Sequence, residues 1–164
     1  MTARANIYRI KVRISEIKVA KGDAILVSYG LGSCVAVAIF DPKQEVGGLA
    51  HVLLPGAPRP EDNPMKFSES ALELLVEEIS RMGGSQNSMV AKIVGGANMF
   101  PWAASDKKKA IGERNVDAVL KKLEKMGIPV AAKDVGGSEG RTVEFHAGKG
   151  HITVRNIRGE EKFL

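Results

Sequence analysis

Hydrophobic residues follow a two-residue period in some parts of the chain, and this period locates the predicted strands. Between Tyr8 and Val19, apolar and basic residues alternate, which is typical of a half-buried strand. Short continuous runs of β-branched and apolar residues, bounded by turn residues, predict buried strands elsewhere. The predicted strands are Tyr8–Val19 (one or two strands), Ala24–Ser28, Val35–Phe40, Val46–Leu54, Val90–Val94, Val130–Val135, Thr142–His146 and His151–Asn156.

Two further segments follow a helical period. Ser68–Met82 carries one apolar stripe and ends at a pair of glycines, and Asn115–Met126 does the same before Gly127. Strands joined as hairpins, with helices interspersed, predict an α+β fold with mixed sheets rather than a doubly wound parallel fold. A length of 164 residues suits one domain over residues 1–164.

Composition narrows the classes of function. The net charge of +5 indicates either an acidic partner or a lysine-rich solvated surface. Nucleic-acid binding is not predicted, because the densest basic cluster, Lys107–Lys109, is short and no basic run is interleaved with aromatic residues. No apolar run approaches the ~20 residues of a membrane span. Residues 1–10 lack the apolar part of a secretory signal, and a lone cysteine suits a reducing compartment, so we expect a cytoplasmic protein without membrane insertion.

The hairpin of Val35–Phe40 and Val46–Leu54 offers the best candidate chemistry. A turn centred between Pro42 and Lys43 would place Cys34 directly across from His51, with Cβ atoms roughly 4.5–5.5 Å apart. An imidazole at that distance takes the proton of the thiol, lowers its pKa and later protonates a leaving amine. Cys34 and His51 are therefore candidates for a nucleophile and its base.

The residues before Cys34 supply the other groups that such chemistry needs. Gly32 and Ser33 belong to a glycine-rich loop, whose N–H groups can approach an oxyanion without obstruction by side chains. Ser28 ends the preceding strand, where its hydroxyl can orient His51. The loops Gly95–Phe100 and Gly136–Arg141 connect strands and lack the lysine of a phosphate loop; we interpret them as structural turns that can wall a cleft.

Each feature also has an ordinary explanation. A single cysteine among Val and Ala is typical of a buried small hydrophobe, and a lone histidine in an apolar strand is typical of a core residue. A zinc site is a further alternative, because the last hairpin places His146 opposite His151, and these two could join Cys34 and His51 as ligands. Neither Cys-x-x-Cys nor His-Glu-x-x-His spacing is present to favour it.

Several ordered motifs resemble those of the CheD family of chemoreceptor glutamine deamidases, over roughly Ile14 to Ile157. The motifs are Gly30-Leu31-Gly32-Ser33-Cys34-Val35, Gly48-Leu49-Ala50-His51-Val52-Leu53-Leu54-Pro55, Gly95-Gly96-Ala97-Asn98-Met99-Phe100, Ile111-Gly112-Glu113-Arg114-Asn115 and Gly136-Gly137-Ser138-Glu139-Gly140-Arg141. The resemblance places the family's catalytic cysteine at Cys34 and its histidine at His51. The third position is typically a threonine and is Ser28 here, which keeps the hydroxyl and loses a methyl group.

The resemblance implies hydrolysis of specific glutamine side chains of methyl-accepting chemotaxis receptors to glutamate, with release of ammonia and without a metal or other cofactor. It also implies an αβ sandwich of mixed sheets flanked by helices, similar to toxin-type cysteine deamidases. Family members bind the chemotaxis phosphatase CheC, which implies CheC as a regulatory partner. The alternative function is a non-catalytic adaptor that binds and regulates CheC.

Overall fold

Two five-stranded sheets and two α-helices make up the fold in a computed structural model, which describes residues 8–101 and 109–164. Residues 1–7, which are most of the segment considered above for a secretory signal, therefore lie outside the described residues, as do Lys107 and Lys108. The strands are β1 (Arg9–Lys11), β2 (Ile17–Lys21), β3 (Ile25–Leu31), β4 (Val35–Asp41), β5 (Val46–Val52), β6 (Val90–Gly95), β7 (Val130–Val135), β8 (Arg141–His146), β9 (Ile152–Asn156) and β10 (Glu161–Phe163). The helices are α1 (Ser68–Arg81) and α2 (Ile111–Lys125).

Both sheets are mixed, as the sequence predicts. The first has the strand order β1-β3-β8-β9-β10, and the second has the order β2-β5-β4-β6-β7. One neighbouring pair in each sheet is parallel, β1 with β3 and β6 with β7, and the other pairs are antiparallel. Strand β10 was not predicted, since it is a three-residue, fully exposed edge strand without an apolar pattern.

The second sheet is the middle layer, with the first sheet on one face and the helices on the other. Strand β4 is buried along its whole length, and its side chains divide between the two faces. Val35, Val37 and Ile39 pack with the helices. Ala36, Ala38 and Phe40 pack against the first sheet. This arrangement confirms the α+β sandwich, and it explains why β4 is an uninterrupted apolar run.

Helix α2 begins at Ile111, four residues before its predicted start. A Cβ atom at Gly112 would overlap the backbone carbonyl oxygens of Gly96 and Ala97, so glycine lets the first turn of α2 lie directly on the loop after β6. As a consequence, Asn115 lies inside the helix and is completely buried, instead of starting it.

The predicted register of the β4–β5 hairpin is wrong, because Ala36 and not Cys34 lies opposite His51. Asp41 pairs with Val46, which leaves a four-residue loop whose centre is one residue later than predicted. The Asp41 carboxylate holds this loop by accepting hydrogen bonds from the N–H groups of Lys43 (2.9 Å) and Gln44 (3.3 Å). The opposition of His146 and His151 is confirmed, with the His146 N–H donating to the His151 carbonyl at 2.8 Å.

Neither α-helix within the described residues is both long and apolar enough to cross a lipid bilayer.

Candidate active site

The candidate residues lie between the two sheets, at the end where β4 begins and β5 ends. Cys34 immediately precedes β4, His51 is the penultimate residue of β5, and Ser28 comes from β3 of the opposite sheet. Because Ala36 is opposite His51, Cys34 is the diagonal neighbour of His51 on the same face of the sheet. Such diagonal neighbours stand roughly 7–8 Å apart, which long side chains can span. All three side chains are buried, with exposed fractions of 7%, 3% and 0% for Cys34, His51 and Ser28.

The carbonyl oxygen of Val12 connects His51 with Ser28. The Ser28 hydroxyl donates to this oxygen at 2.8 Å, and His51 Nδ1 lies 3.3 Å from it. A proton on Nδ1 satisfies the contact, and it leaves Nε2 with the lone pair that a base requires. Ser28 thus hydrogen-bonds to the same carbonyl oxygen as His51 and makes no hydrogen bond to the imidazole itself. The role of Val12 could not be predicted from the sequence, since a backbone carbonyl leaves no mark on the residue pattern.

Burial keeps both reactive groups uncharged. It raises the pKa of the Cys34 thiol, an effect that the backbone N–H of Cys34 partly opposes. It lowers the pKa of His51, against the opposing effect of the Val12 carbonyl. No hydrogen bond joins Cys34 to His51 among the described residues, so the expected lowering of the thiol pKa by the imidazole is not found.

The loop before Cys34 is fixed through its carbonyl groups. The Gly32 carbonyl accepts from the N–H of Ala97 at 2.9 Å, and the Cys34 carbonyl accepts from the N–H of Gly96 at 2.8 Å. By contrast, the N–H groups of Ser33 and Cys34 donate to no acceptor in the described parts of the chain. Two consecutive N–H groups, one of them that of Cys34 itself, are therefore left without an acceptor in the described structure.

The two other glycine loops lie behind the Cys34 loop and support it. A Cβ atom at Gly95, which has a φ of +116°, would overlap the Cys34 carbonyl oxygen. The Gly95 carbonyl in turn accepts from the Gly136 N–H at 2.9 Å and from Arg141 Nη1 at 3.0 Å. These contacts bear out the interpretation of both loops as structural turns. The amide of Asn115 also reaches this loop, a contact that sequence analysis missed because it assigned Asn115 to the helix start.

The residues of the zinc alternative do not form a cluster. Across residues 8–101 and 109–164, no three side chains of His, Cys, Asp or Glu come together as they would around a metal ion. His146 pairs with Ile25 at the start of β3, three residues before Ser28 along that strand. The histidine pair of the last hairpin thus belongs to another part of the sheet.

A surface cavity of about 330 Å³ adjoins His51. Its lining is basic and apolar, and consists of Lys11, Val12, Arg13, Ile14, Tyr29 and His51. Ile14 and Tyr29 are more than half exposed, and Lys11 Nζ lies 5.5 Å from the centre of the Tyr29 ring. Met99 packs over Gly32 on the Cys34 side of the site and is also partly exposed. The site thus opens onto a surface that offers positive charge and apolar contact.

Comparison with known proteins gives a consistent result. The sequence matches the profile of a family described as CheD chemotactic sensory transduction, over residues 53–156. It is 43% identical over 156 residues to a Desulfitobacterium hafniense protein named probable chemoreceptor glutamine deamidase CheD, an alignment covering 94% of this chain and 98% of the relative. Geobacter metallireducens has a probable chemoreceptor glutamine deamidase CheD 2 with 45% identity over 158 residues, covering 94% and 98% of the two chains. The chemoreceptor glutamine deamidase CheD of Halalkalibacterium halodurans is 38% identical over 156 residues, covering 93% and 96%.

Proposed function

This chain belongs to the CheD family, and on that premise we propose that it deamidates glutamine side chains of chemotaxis receptors in the cytoplasm, with Cys34 as the nucleophile. The reaction converts glutamine to glutamate and releases ammonia. The observation that carries the proposal is that the lone cysteine and a buried histidine share one face of adjacent strands, beside two unpaired backbone N–H groups. Nucleophile, base and oxyanion donors are the parts that amide hydrolysis through a thioester requires.

His51 starts the reaction as a general base. Its Nδ1 is engaged by the Val12 carbonyl, which leaves Nε2 to take the proton of the Cys34 thiol. The sulfur then forms a bond to the side-chain carbonyl carbon of the receptor glutamine. Ser28 contributes by sharing the Val12 carbonyl and so helping to fix the position of the acceptor that orients the imidazole.

The N–H groups of Ser33 and Cys34 stabilise the tetrahedral oxyanion. Neither group has an acceptor in another residue of the described structure, and the Cys34 N–H opposes the rise that burial causes in the pKa of the thiol. An oxyanion formed on the carbon attached to that sulfur lies within reach of the same donor. In known hydrolases, the loss of one such donor lowers kcat by about 10²–10³-fold.

Collapse of the intermediate breaks the carbon–nitrogen bond. The imidazolium of His51 protonates the departing ammonia, and the acyl group of the receptor stays on Cys34 as a thioester. Water, deprotonated by His51, then attacks the thioester, releases glutamate and returns the proton to the thiol. This sequence restores Cys34 and His51 and draws on no group from outside the chain other than substrate and water.

The surface around the site suits a receptor helix that carries acidic residues beside the target glutamine. Lys11 and Arg13 line the cavity next to His51 and supply positive charge. Ile14 and Tyr29 supply apolar contact at the same mouth. A glutamine side chain that extends from such a helix enters between these residues and approaches Cys34.

The test is to incubate the protein with the cytoplasmic fragment of a receptor from its own cell and to map glutamine-to-glutamate conversion by peptide mass spectrometry. Cys34→Ser serves as the paired variant, because a serine hydroxyl is much harder for His51 to deprotonate than a thiol. We expect conversion at specific glutamines with the native protein and none with Cys34→Ser. Conversion at the native rate by Cys34→Ser would refute the proposal.

A non-catalytic adaptor for CheC is the second candidate, and the burial of Cys34 favours it. A thiol that is 7% exposed and makes no hydrogen bond to His51 is not activated in the resting protein. The same incubation separates the two functions when it is combined with a CheC binding measurement. Tight binding of CheC by both native protein and Cys34→Ser, without deamidation by either, would favour the adaptor.

A further inference from the structure

Asn115 connects the loop of the nucleophile to the strand of the base. Its Nδ2 donates to the Ser33 carbonyl at 2.9 Å and to the Leu53 carbonyl at 3.0 Å. Ser33 directly precedes Cys34, and Leu53 follows His51 by two residues. Asn115 therefore holds β4 and β5 together at the point where the two strands separate, and it does so from the fully buried face of α2.

The hydrogen bond to Ser33 fixes the direction of the Cys34 N–H. The carbonyl of Ser33 and the N–H of Cys34 belong to one peptide group, which is planar and trans, so that they point in opposite directions. With the carbonyl held by Asn115, the N–H must point away from α2. One residue earlier, the Gly32 carbonyl accepts a hydrogen bond from the Ala97 N–H. The Ser33 N–H belongs to the same peptide group as that carbonyl and therefore points away from Ala97.

We propose that Asn115 is a positioning residue that sets the oxyanion hole, by holding the Ser33–Cys34 peptide with the Cys34 N–H turned toward the reacting carbon. The inference rests on the proposed function in one respect, the role of Cys34 as a nucleophile toward a carbonyl group. Asn115 touches neither the substrate nor the sulfur in this arrangement. It acts through the peptide that it holds.

The other end of the Asn115 side chain supports a role beyond packing. Its Oδ1 is buried and has no hydrogen-bond partner, and it is the one side-chain atom of this kind in the described part of the chain. Leaving a buried acceptor unpaired is unfavourable for folding. The Nδ2 group of the same amide donates to both the Ser33 and the Leu53 carbonyl. Asn115 therefore keeps its contacts with the Cys34 loop and the end of β5 at the cost of an unpaired oxygen, which stability alone does not explain.

The test compares two reactions of the same sulfur, of which only one develops an oxyanion. With p-nitrophenyl acetate, a bond forms between sulfur and the acetyl carbon, p-nitrophenolate leaves, and the proton of the thiol passes to the base. With iodoacetamide, sulfur displaces iodide and no oxyanion forms. Cys34 is the only cysteine of the chain, so both reactions can be followed at one residue by release of p-nitrophenolate and by intact mass.

We expect Asn115→Ala to slow acylation of Cys34 by at least tenfold while it changes alkylation by less than about twofold. Asn115→Leu keeps the approximate size of the side chain, has no N–H groups to donate and places no charge against the two carbonyl oxygens. It should separate the two rates in the same way even if the alanine variant folds poorly because of the space that it leaves. Val119→Ala is the matched control, because Val119 is one turn further along α2 and also fully buried, but its side chain has no group that can hydrogen-bond to the Cys34 loop. It should leave the ratio of acylation to alkylation at the native value.

An unchanged ratio in both Asn115 variants, or an equal fall of both rates, would overturn the inference and leave Asn115 with a structural role only. With the receptor fragment as substrate, the same variants should lower kcat and leave KM nearly unchanged, since the oxyanion exists only after attack. If the native protein deamidates no receptor fragment, the proposed function fails, while the acylation ratio still decides the role of Asn115.

Discussion

Cys34 and His51 are both nearly excluded from solvent, and burial moves their pKa values in opposite directions, upward for the thiol and downward for the imidazole. The resting site therefore contains an uncharged thiol and an uncharged imidazole, instead of a thiolate and an imidazolium. In this state His51 can accept a proton at neutral pH. In the proposed mechanism, proton transfer from Cys34 therefore accompanies the attack on the substrate and does not precede it.

Alkylation of Cys34 reports the pKa of the thiol directly. Because burial raises that pKa, the rate of reaction with iodoacetamide should be low at pH 7 and should still be rising above about pH 8.5, the midpoint of an ordinary thiol. The measurement is the alkylation rate at Cys34 by mass spectrometry over a series of pH values, with a model peptide thiol as reference. A plateau reached below pH 7.5 would instead indicate a thiolate already paired with His51.

The pH dependence of deamidation reports His51. In the proposed mechanism the uncharged imidazole is the active form. The lowered pKa of His51 means that this form persists below pH 6.5 and is lost only as the pH falls through the lowered value. The acidic limb of kcat/KM should therefore lie below pH 6.5. His51→Ala should lower the rate by about 10²–10⁴-fold. His146 lies in β8 of the first sheet, opposite Ile25 at the start of β3. His146→Ala should therefore change neither the acidic limb nor the rate of deamidation. A loss of rate equal to that of His51→Ala would contradict the assignment.

The shared face of Cys34 and His51 could be predicted from the sequence, although their register could not. Side chains alternate along a strand, so moving the partner of His51 by two residues, from Cys34 to Ala36, keeps Cys34 on the same face. The link between Ser28 and His51 was not predictable in the same way. It passes through the Val12 carbonyl, and any residue other than Val12 would provide the same acceptor.

At the scale of elements, the end of β6 supports Cys34, the proposed nucleophile. Gly95→Ala should show this, because the added Cβ would overlap the Cys34 carbonyl oxygen in a backbone conformation with a φ of +116°. We expect a loss of about 1–2 kcal/mol in unfolding free energy from the backbone conformation, and about 1–3 kcal/mol more from the overlap. Displacement of Cys34 should lower deamidation by at least tenfold.

Gly127→Ala is the matched control for Gly95→Ala. Gly127 also has a positive φ, +69°, but an added Cβ would meet no atom within 4 Å. In this variant the unfolding free energy, measured by thermal or urea unfolding, should fall only by the about 1–2 kcal/mol that the backbone conformation accounts for. Deamidation should stay at the native rate. Equal activity losses in the two variants would show that general destabilisation, and not contact with Cys34, is the cause.

The ends of two elements differed from expectation for reasons that a residue pattern does not contain. The β4–β5 loop is centred one residue later than predicted because the buried Asp41 carboxylate binds the N–H groups of Lys43, Gln44 and, from a distant part of the chain, Ser85. Burial of Asp41 opposes its ionisation, but these hydrogen bonds outweigh it and lower the pKa of Asp41. Helix α2 starts early because Gly112 fits against the loop after β6. Both are tertiary contacts, which local propensity cannot anticipate.

At the scale of the whole molecule, the sandwich brings residues from two strands and two connections into one site. Ser28 and His51 belong to β3 and β5, Cys34 to the β3–β4 connection and Val12 to the β1–β2 connection. Each element except β10 was recognisable from its apolar pattern, and the mixed character of the sheets followed from the presence of hairpins. Which sheet each strand joins was not predicted, and it is this assignment that sets Ser28 on one sheet opposite Cys34 and His51 on the other. The segment from β1 to β2 crosses between the sheets and carries Val12 over the site.

The charge of the molecule should act on substrate binding more than on chemistry. Replacing Lys11 and Arg13 together with alanine removes two positive charges from the cavity beside His51, and should raise KM for a receptor fragment about three- to tenfold with little change in kcat. The effect should shrink as salt is added. The steady-state rates at several salt concentrations provide the measurement.

Lys43→Ala combined with Lys149→Ala removes the same number of charges elsewhere. Both residues are exposed. Lys43 lies in the turn after β4 and Lys149 in the turn after β8, at the ends of these strands that are farther from Cys34. At about 3.3 Å per strand residue, each is roughly 20 Å from Cys34. This double variant should leave KM within about twofold of the native value. A rise in KM as large as that in the cavity variant would mean that net charge, and not the charge beside His51, governs binding.

The central claim is that one sulfur carries the deamidation, and partial alkylation of the unmodified chain tests it most directly. Because Cys34 is the only cysteine, samples treated with iodoacetamide for increasing times differ only in the fraction of Cys34 that remains free, once intact mass confirms a single adduct. Each sample is then assayed for conversion of glutamine to glutamate in a receptor fragment. Deamidation plotted against the free fraction of Cys34 should give a straight line through the origin. Undiminished deamidation after complete alkylation of Cys34 would contradict the account.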